Sequence, residues 1–313
     1  MSYCCMTPFS RRRFIQTTSA AAFSSIVLAR KAPASDAKLP VCVFNKPLQH
    51  LNYEEQAHLV AKMGFVGIEG TVRANGHVTP EKVKTDLPNQ IKALRKNGVD
   101  MTLMTTDVNN ADDEVHRRVL ETAASLGVTK FRMGSIKFTY DRPIQAQLDE
   151  IKVIFEKIVS FCQPLGIQPL YQNHAGAGRF GAALWDIYEV IKDYDPNNVG
   201  IAFDIRHAVV EGGQSWPTEF HLLRPWFGFV YCKDFEWKDG NKKPSNVPLT
   251  TGQVDYPAFF RTLEKSHYSG PISLHMEYIN HKDPKLLDES IAAIKADKKA
   301  LDALIEGRSH FAN

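Results

Sequence analysis

The sequence predicts an α/β chain folded as a (β/α)8 TIM barrel. Three observations lead there. From residue 40 onward, short apolar runs alternate with longer stretches of helical periodicity. Eight such units fit into about 270 residues, the size expected of this fold. The glycine-rich phosphate turn that a doubly wound open sheet would carry after an early strand is absent. No Pro/Gly/Ser-rich linker divides the chain, so residues 36–313 read as one domain.

The first strand is read over 41–44, and a helix over 53–63 follows, with Ala57, Val60 and Ala61 at helical spacing. The second strand is 65–69, and the helix after it runs 89–97 until Gly98 stops it. Strand three is 100–104. A helix over 112–126 ends at Gly127, strand four is 129–133, and a long helix over 144–165 ends at Gly166. The second half repeats the scheme: strand 168–172, helix 182–194, strand 199–204, helical material near 218–223, strand 227–233, helix 256–265, strand 271–277 and a closing helix over 285–305. Strand six carries the clearest signature. In Val199-Gly-Ile-Ala-Phe-Asp204-Ile-Arg-His207 a run apolar on both faces ends in an Asp, with a His three positions on. The longest stretch without a pattern is 235–253, and loops of that length are often lids or substrate-binding segments.

Composition narrows the function classes. Of the 313 residues, 43% are hydrophobic and 23% charged, as in soluble globular domains. A formal net charge of +3, from 38 basic and 35 acidic residues, is too near balance for a nucleic-acid or membrane-surface partner. A small molecule is the expected ligand, and homo-oligomerisation is left open. Cys42, Cys162 and Cys232 lie in apolar surroundings at spacings that match no metal or redox motif, and read as buried small hydrophobes.

Residues 1–35 differ in kind. Ser10-Arg11-Arg12-Arg13-Phe14-Ile15-Gln16 resembles the twin-arginine export signal. A weakly apolar run over 17–29 and an Ala32-Pro33-Ala34 cleavage site follow, the layout of a removable signal peptide. The run is too short and polar to insert stably in a bilayer. A mature protein starting near Ser35 in the periplasm, or otherwise exported, is the expectation.

At the carboxyl ends of the strands, polar residues should converge on one mouth. They are Glu69 and Arg73; Thr105, Thr106 and Asp107; Arg132; Gln172, Asn173 and His174; Asp204, Arg206 and His207; Lys233 and Asp234; His275 and Glu277. A lone strand-end Asp often caps the next helix. So many polar groups gathered at one place need pairing or a ligand.

The order and spacing of Gln172-Asn-His-Ala-Gly176, Asp204-x-x-His207, Lys233-Asp234, His275-Met-Glu277 and Gly64-Phe-Val-Gly-Ile-Glu69 resemble the xylose isomerase-like superfamily over roughly residues 40–305. That resemblance implies a sugar isomerase or epimerase type of enzyme. It also implies one divalent metal, held by a Glu, an Asp, a His and a Glu from strands five to eight. Asp204 matches the strand-six Asp, and His207 the substrate-contacting His. Two positions depart: Gln172 stands for the strand-five Glu, and Tyr231 for the strand-seven His. At strand eight either His275 or Glu277 aligns with the family's Glu. The implied metal set is Gln172, Asp204, His275 and Glu277, for manganese, zinc or magnesium; a metal-free carbohydrate pocket is the alternative.

The implied chemistry is proton abstraction next to the carbonyl of a sugar or keto-sugar. Glu277 or His174 would be the base, with a metal, or Lys233 and His207, stabilising the enediolate oxygen. Lys233 could instead be a base if burial lowers its pKa. Glu69, Arg73, Arg132 and Trp216 are the expected substrate-binding residues. Gln172 cannot serve as a base, which disfavours a two-base 3-epimerase and brings in a lyase acting on 3-keto-glycosides. A non-catalytic carbohydrate-binding barrel is the other alternative.

Overall fold

Short runs of buried residues form the strands: β1 (Val41–Phe44), β2 (Gly67–Val72), β3 (Asp100–Thr106), β4 (Lys130–Arg132), β5 (Gln168–Gln172), β6 (Gly200–Asp204) and β7 (Phe227–Cys232). Two more, β8 (Asp234–Trp237) and β9 (Pro244–Val247), form an antiparallel hairpin, and β10 (Ile272–Leu274) returns to the main sheet. The main sheet closes in the order β1-β10-β7-β6-β5-β4-β3-β2, all parallel, as the sequence predicts. The computed structural model describes residues 38–238 and 243–307, so the signal expected at 1–35 lies outside the described residues. Among the described residues no helix is long and apolar enough to cross a membrane.

The helices are α1 (Tyr53–Lys62), α2 (Val83–Lys96), α3 (Glu114–Ser125), α4 (Ile144–Cys162), α5 (Leu184–Ile191), α6 (Ile205–Gly212), α7 (Trp216–Leu223), α8 (Tyr256–Lys265) and α9 (Leu287–Glu306). Local chemistry sets several starts. Asn52 and Glu55 form a capping box on α1, and the Asp113 and Asp255 carboxylates cap α3 and α8. Gly98, Gly127 and Gly166 end helical segments with φ of 75°, 81° and 65°, a region where any Cβ is strained. α2 begins six residues before the expected start and tolerates Pro88 inside it. Pro88 removes one helical hydrogen bond, but Val83 and Leu87 are wholly buried, and burying two such side chains contributes several kcal/mol, roughly 1.5–3 each.

Inside the barrel, Cys42, Leu103, Leu170, Ala202, Phe229 and Tyr231 form a cluster separate from the helix–sheet layer. The three described cysteines are free and buried. Two departures from the sequence reading shape the mouth. The stretch 235–253 is not structureless: it carries the β8–β9 hairpin. β2 is shifted along the chain. Glu69 pairs with Phe44 at the end of β1, but β2 runs three residues further, with Thr71 and Val72 paired to Thr105 and Thr106. Glu69 is therefore an interior residue of β2.

Candidate active site

Asp204 ends β6 and is fully buried. Its Oδ1 caps α6 by accepting from the His207 amide at 3.2 Å. The backbone of Asp204 is clasped by Asn173, whose side chain donates to the Asp204 carbonyl (3.0 Å) and accepts from the Asp204 amide (2.7 Å). Asn173 thereby fixes the ends of β5 and β6 together. With Oδ1 used as a cap, Oδ2 faces the mouth, where it accepts from Gln172 Nε2 at 2.8 Å and lies 3.0 Å from Lys233 Nζ.

Lys233 follows β7 directly and bridges two acids, since its Nζ is also 3.1 Å from Glu277 Oε2. Burial would lower the Lys233 pKa, but the Asp204 and Glu277 carboxylates outweigh it and raise it above the ordinary lysine value. Lys233 is thus a permanent cation, and the expectation that burial turns it into a base does not hold. Burial would likewise raise Glu277; Lys233, His275 and Lys46 outweigh it and keep the carboxyl well below its usual range. Lys46, just past β1, sits 3.0 Å from Glu277 Oε1. Sequence reasoning missed it, although a Lys two residues past a strand end is the same kind of signal that singled out the others. Glu277 keeps 17% of its side chain exposed, against 7% for Lys233 and none for Asp204. It is the more solvent-accessible of the two acids.

A second network lies deeper. Both oxygens of Glu69 are taken by the protein: Oε1 accepts from Thr105 Oγ1 and Tyr231 Oη (2.9 Å), and Oε2 from Ser273 Oγ (2.6 Å) and His275 Nε2 (2.7 Å). Burial would raise its pKa, but the His275 charge and hydrogen bond, Arg132 and Ser273 outweigh it and bring the carboxyl down to about 2. Burial would lower His275, and the adjacent Glu69 outweighs that and raises it. This is a buried carboxylate–imidazole pair in which each partner favours the charged form of the other. The expectation that Glu69 binds substrate is corrected: no oxygen is left for one. His275 is sandwiched between Phe44 and Tyr231, with centroids 4.5 and 4.3 Å away. Its Nδ1 points to Glu277 Oε2 at 3.7 Å and has no hydrogen-bond partner.

His174 and His207 lie side by side, ring centroids 5.1 Å apart. Burial, then Arg132 for His174 and Lys233 for His207, pushes both well below the usual imidazole value, so both are neutral. Their tautomers follow from neighbours that can only donate. Arg206 Nη1 lies 3.0 Å from His207 Nδ1, so the His207 proton is on Nε2, 3.6 Å from Asp204 Oδ2. Arg132 Nη1 lies 3.5 Å from His174 Nε2, so His174 carries its proton on Nδ1 and donates to the Gln172 carbonyl at 3.1 Å. Arg132 also donates to Gln172 Oε1 at 2.5 Å. Arg73 extends over the Phe44 ring at 5.9 Å. The hairpin is tied to this side by Arg206 Nη2 to the Pro244 carbonyl (3.2 Å) and Asn246 Nδ2 to the Glu277 carbonyl (3.3 Å). Asp234 serves that anchoring, accepting from the Gly252 and Val254 amides. Trp216 is not brought to the mouth. It starts α7 and packs edge-on against Phe220 and Phe259 at 6.5 and 6.0 Å, between helices, which corrects its reading as a sugar platform.

The donor set does not fit the divalent ion that the resemblance implies. Gln172 Oε1 is satisfied by Arg132, Asp204 Oδ2 by Gln172 and Lys233, the two Glu277 oxygens by Lys233 and Lys46, and His275 Nε2 by Glu69. A doubly charged ion about 4 Å from the ammonium would meet a repulsion of about 8 kcal/mol at an effective dielectric of 20. Among the described residues no group of three or more His, Cys, Asp and Glu is arranged to hold a metal ion.

Comparison with known proteins gives a family model, described as Xylose isomerase-like TIM barrel, that matches residues 57–297. An uncharacterized protein of Methanocaldococcus jannaschii is 23% identical over 177 residues, covering 54% of this chain and 59% of that protein. The chain thus spans about three fifths of the curated relative it matches. Similar solved structures include a xylose isomerase domain protein of Planctomyces limnophilus (TM-score 0.66, 15% identity, 88% of this chain and 100% of that one). Another is 3-keto-D-glucoside 4-epimerase of E. coli (0.64, 16%, 84% and 100%). A third is a xylose isomerase-like TIM barrel protein of Mycobacterium smegmatis in complex with magnesium (0.64, 15%, 86% and 97%). At these identities the likeness is one of fold.

Proposed function

The chain belongs to the Xylose isomerase-like TIM barrel family, and we propose that it is a sugar-modifying enzyme that abstracts a proton next to the carbonyl of a sugar or keto-sugar. One observation carries this reading: a permanent cation and an ionised, partly exposed carboxylate, Lys233 and Glu277, stand 3.1 Å apart at the carboxyl end of the barrel. Enolisation needs that pair. A carboxylate takes the proton from carbon while a fixed cation meets the charge that develops on oxygen. Lys233 has three N–H donors and uses two on Asp204 and Glu277, leaving one for a substrate oxygen. His207, protonated on Nε2, adds a neutral donor. Arg73 and Arg132 bind outlying hydroxyl or carboxylate oxygens, and His174 lines the cleft as a neutral imidazole.

Within this reading, a lyase acting on 3-keto-glycosides is favoured over a two-base epimerase. The strand-five position is a neutral amide held by Arg132 on one side and Asp204 on the other, which leaves one competent base. The substrate is a small carbohydrate, and nucleic acid is no partner. Residues 1–35 are proposed as an export signal and 36–313 as the mature periplasmic domain; the first residue of protein recovered from the periplasm tests this.

Deuterium incorporation next to the carbonyl, followed by NMR over a panel of keto-sugars and 3-keto-glycosides, tests the chemistry. Exchange by wild type, reduced about 10²–10³-fold in Lys233→Met and Glu277→Gln, is expected. A folded protein that binds sugars but exchanges no proton on any panel member would mean a carbohydrate-binding barrel instead.

A further inference from the structure

We infer that Lys233 occupies, as a built-in cation, the place a divalent metal ion holds in the arrangement implied for this mouth. The wild-type protein therefore works without such an ion, and a divalent-cation site opens only when Lys233 is shortened. This stands on the site geometry and does not depend on which reaction is run.

The ammonium lies 3.0 and 3.1 Å from one oxygen each of Asp204 and Glu277, the two carboxylates left at the implied metal position. A magnesium ion would need those oxygens at about 2.1 Å and a calcium ion at about 2.3–2.6 Å. The two carboxylates are thus gathered around one point, and a cation already sits there. The neighbouring positions are adapted to it. Gln172 offers Asp204 an N–H where a Glu would offer a further ligand, and its oxygen is turned to Arg132. Tyr231 directs its hydroxyl away from the pair, to Glu69. Lys46 neutralises the outer oxygen of Glu277. Two carboxylates matched by two ammonium groups leave no net negative charge to attract a second cation.

A lysine is part of the pattern that the resemblance implies at this place. What is particular here is the loss of the Glu and the His that would help hold an ion, which leaves the two carboxylates to the ammonium. Restoring one ligand while removing the ammonium is the test. Wild-type protein, purified without chelator, is analysed for bound metals and then titrated with Mn²⁺ by electron paramagnetic resonance. Fewer than about 0.1 equivalents of co-purified metal and Mn²⁺ binding weaker than about 1 mM are expected. The variant Gln172→Glu/Lys233→Met, checked for folding by circular dichroism, should bind one Mn²⁺ at least about tenfold tighter. A stoichiometric Mn²⁺ site in wild type that Asp204→Asn abolishes would overturn the inference. So would a folded double variant that binds no better than wild type. If the double variant fails to fold, the wild-type titration decides alone. Because it reads metal and not turnover, its outcome is separate from the exchange assay above.

Discussion

Replacing Glu69 by Gln separates a positioning carboxylate from a substrate-binding one. The change keeps the side chain's shape and removes its charge. In the native barrel that charge accepts four hydrogen bonds and faces the raised imidazole of His275. The drop of the Glu69 carboxyl from an ordinary 4.5 to about 2 corresponds to about 3 kcal/mol of native stability at neutral pH. The group ionises more readily folded than unfolded, so this stability is present above the unfolded value and is lost as pH falls from 4.5 through about 2. Breaking one side of a buried pair typically costs about 3–5 kcal/mol, which agrees. Urea unfolding, followed by tryptophan fluorescence at pH 7 and pH 3.5, measures it. Glu69→Gln should be less stable by about 3–5 kcal/mol at pH 7. The gap should narrow to roughly 2 kcal/mol at pH 3.5, where part of the wild-type advantage has been titrated away. A variant within 1 kcal/mol of wild type at pH 7, with the same pH slope and weakened sugar binding, would refute the buried-pair reasoning and return Glu69 to the substrate.

Three further outcomes follow from the same geometry. Tyr231→Phe removes one of the four donors to Glu69 and should cost about 1.5–3 kcal/mol by urea midpoint, the usual range for a hydrogen bond to a charged group. Trp216→Ala should cost about 2–4 kcal/mol, because the ring packs between Phe220 and Phe259, yet leave the affinity for bound sugars, read by calorimetry, unchanged. At Gly134 an added Cβ would come within 2.4 Å of the Asp107 carbonyl, backbone that cannot turn aside. Gly134→Ala should therefore shift the segment after β4 and lower the unfolding free energy by about 1–3 kcal/mol.

The barrel was readable because its strands are buried on both faces and so appear as short, almost uninterrupted apolar runs. Asp204 and His207 were readable for the same reason, since a polar residue closing such a run has to lie at the sheet's end. Depth was harder. Glu69 and Glu277 look alike in the sequence, each an acid closing an apolar run. They differ only through register: β2 continues to Val72 and draws Glu69 inside, whereas β10 stops at Leu274 and leaves Glu277 beyond the sheet. Nothing in the local pattern of 65–72 states how far pairing with β3 will run. Trp216 failed for a related reason. A residue at the start of a helix after a barrel strand faces either the mouth or the neighbouring helices, and the large apolar residues on α7 and α8 decided it.

The two departures at strands five and seven, read singly, suggest a site that has lost ligands. Their contacts argue otherwise. Gln172 is an amide that accepts from a guanidinium and donates to a carboxylate at once, which a Glu could do only by carrying a proton. A charged Glu there would face Asp204 at hydrogen-bond distance, like charge against like. Tyr231 delivers a hydroxyl to Glu69, deep in the barrel, and its ring forms one wall around His275. Each replacement thus exchanges a group that would collect a cation for one that donates a hydrogen bond to an acid already present. Lys233 completes the set by donating to Asp204 and to Glu277, the one acid left. The substitutions are consistent with one another only if the cation at the centre belongs to the chain. That is why metal content, more than any single activity measurement, discriminates between a site that has decayed and one that has been rebuilt around an ammonium group.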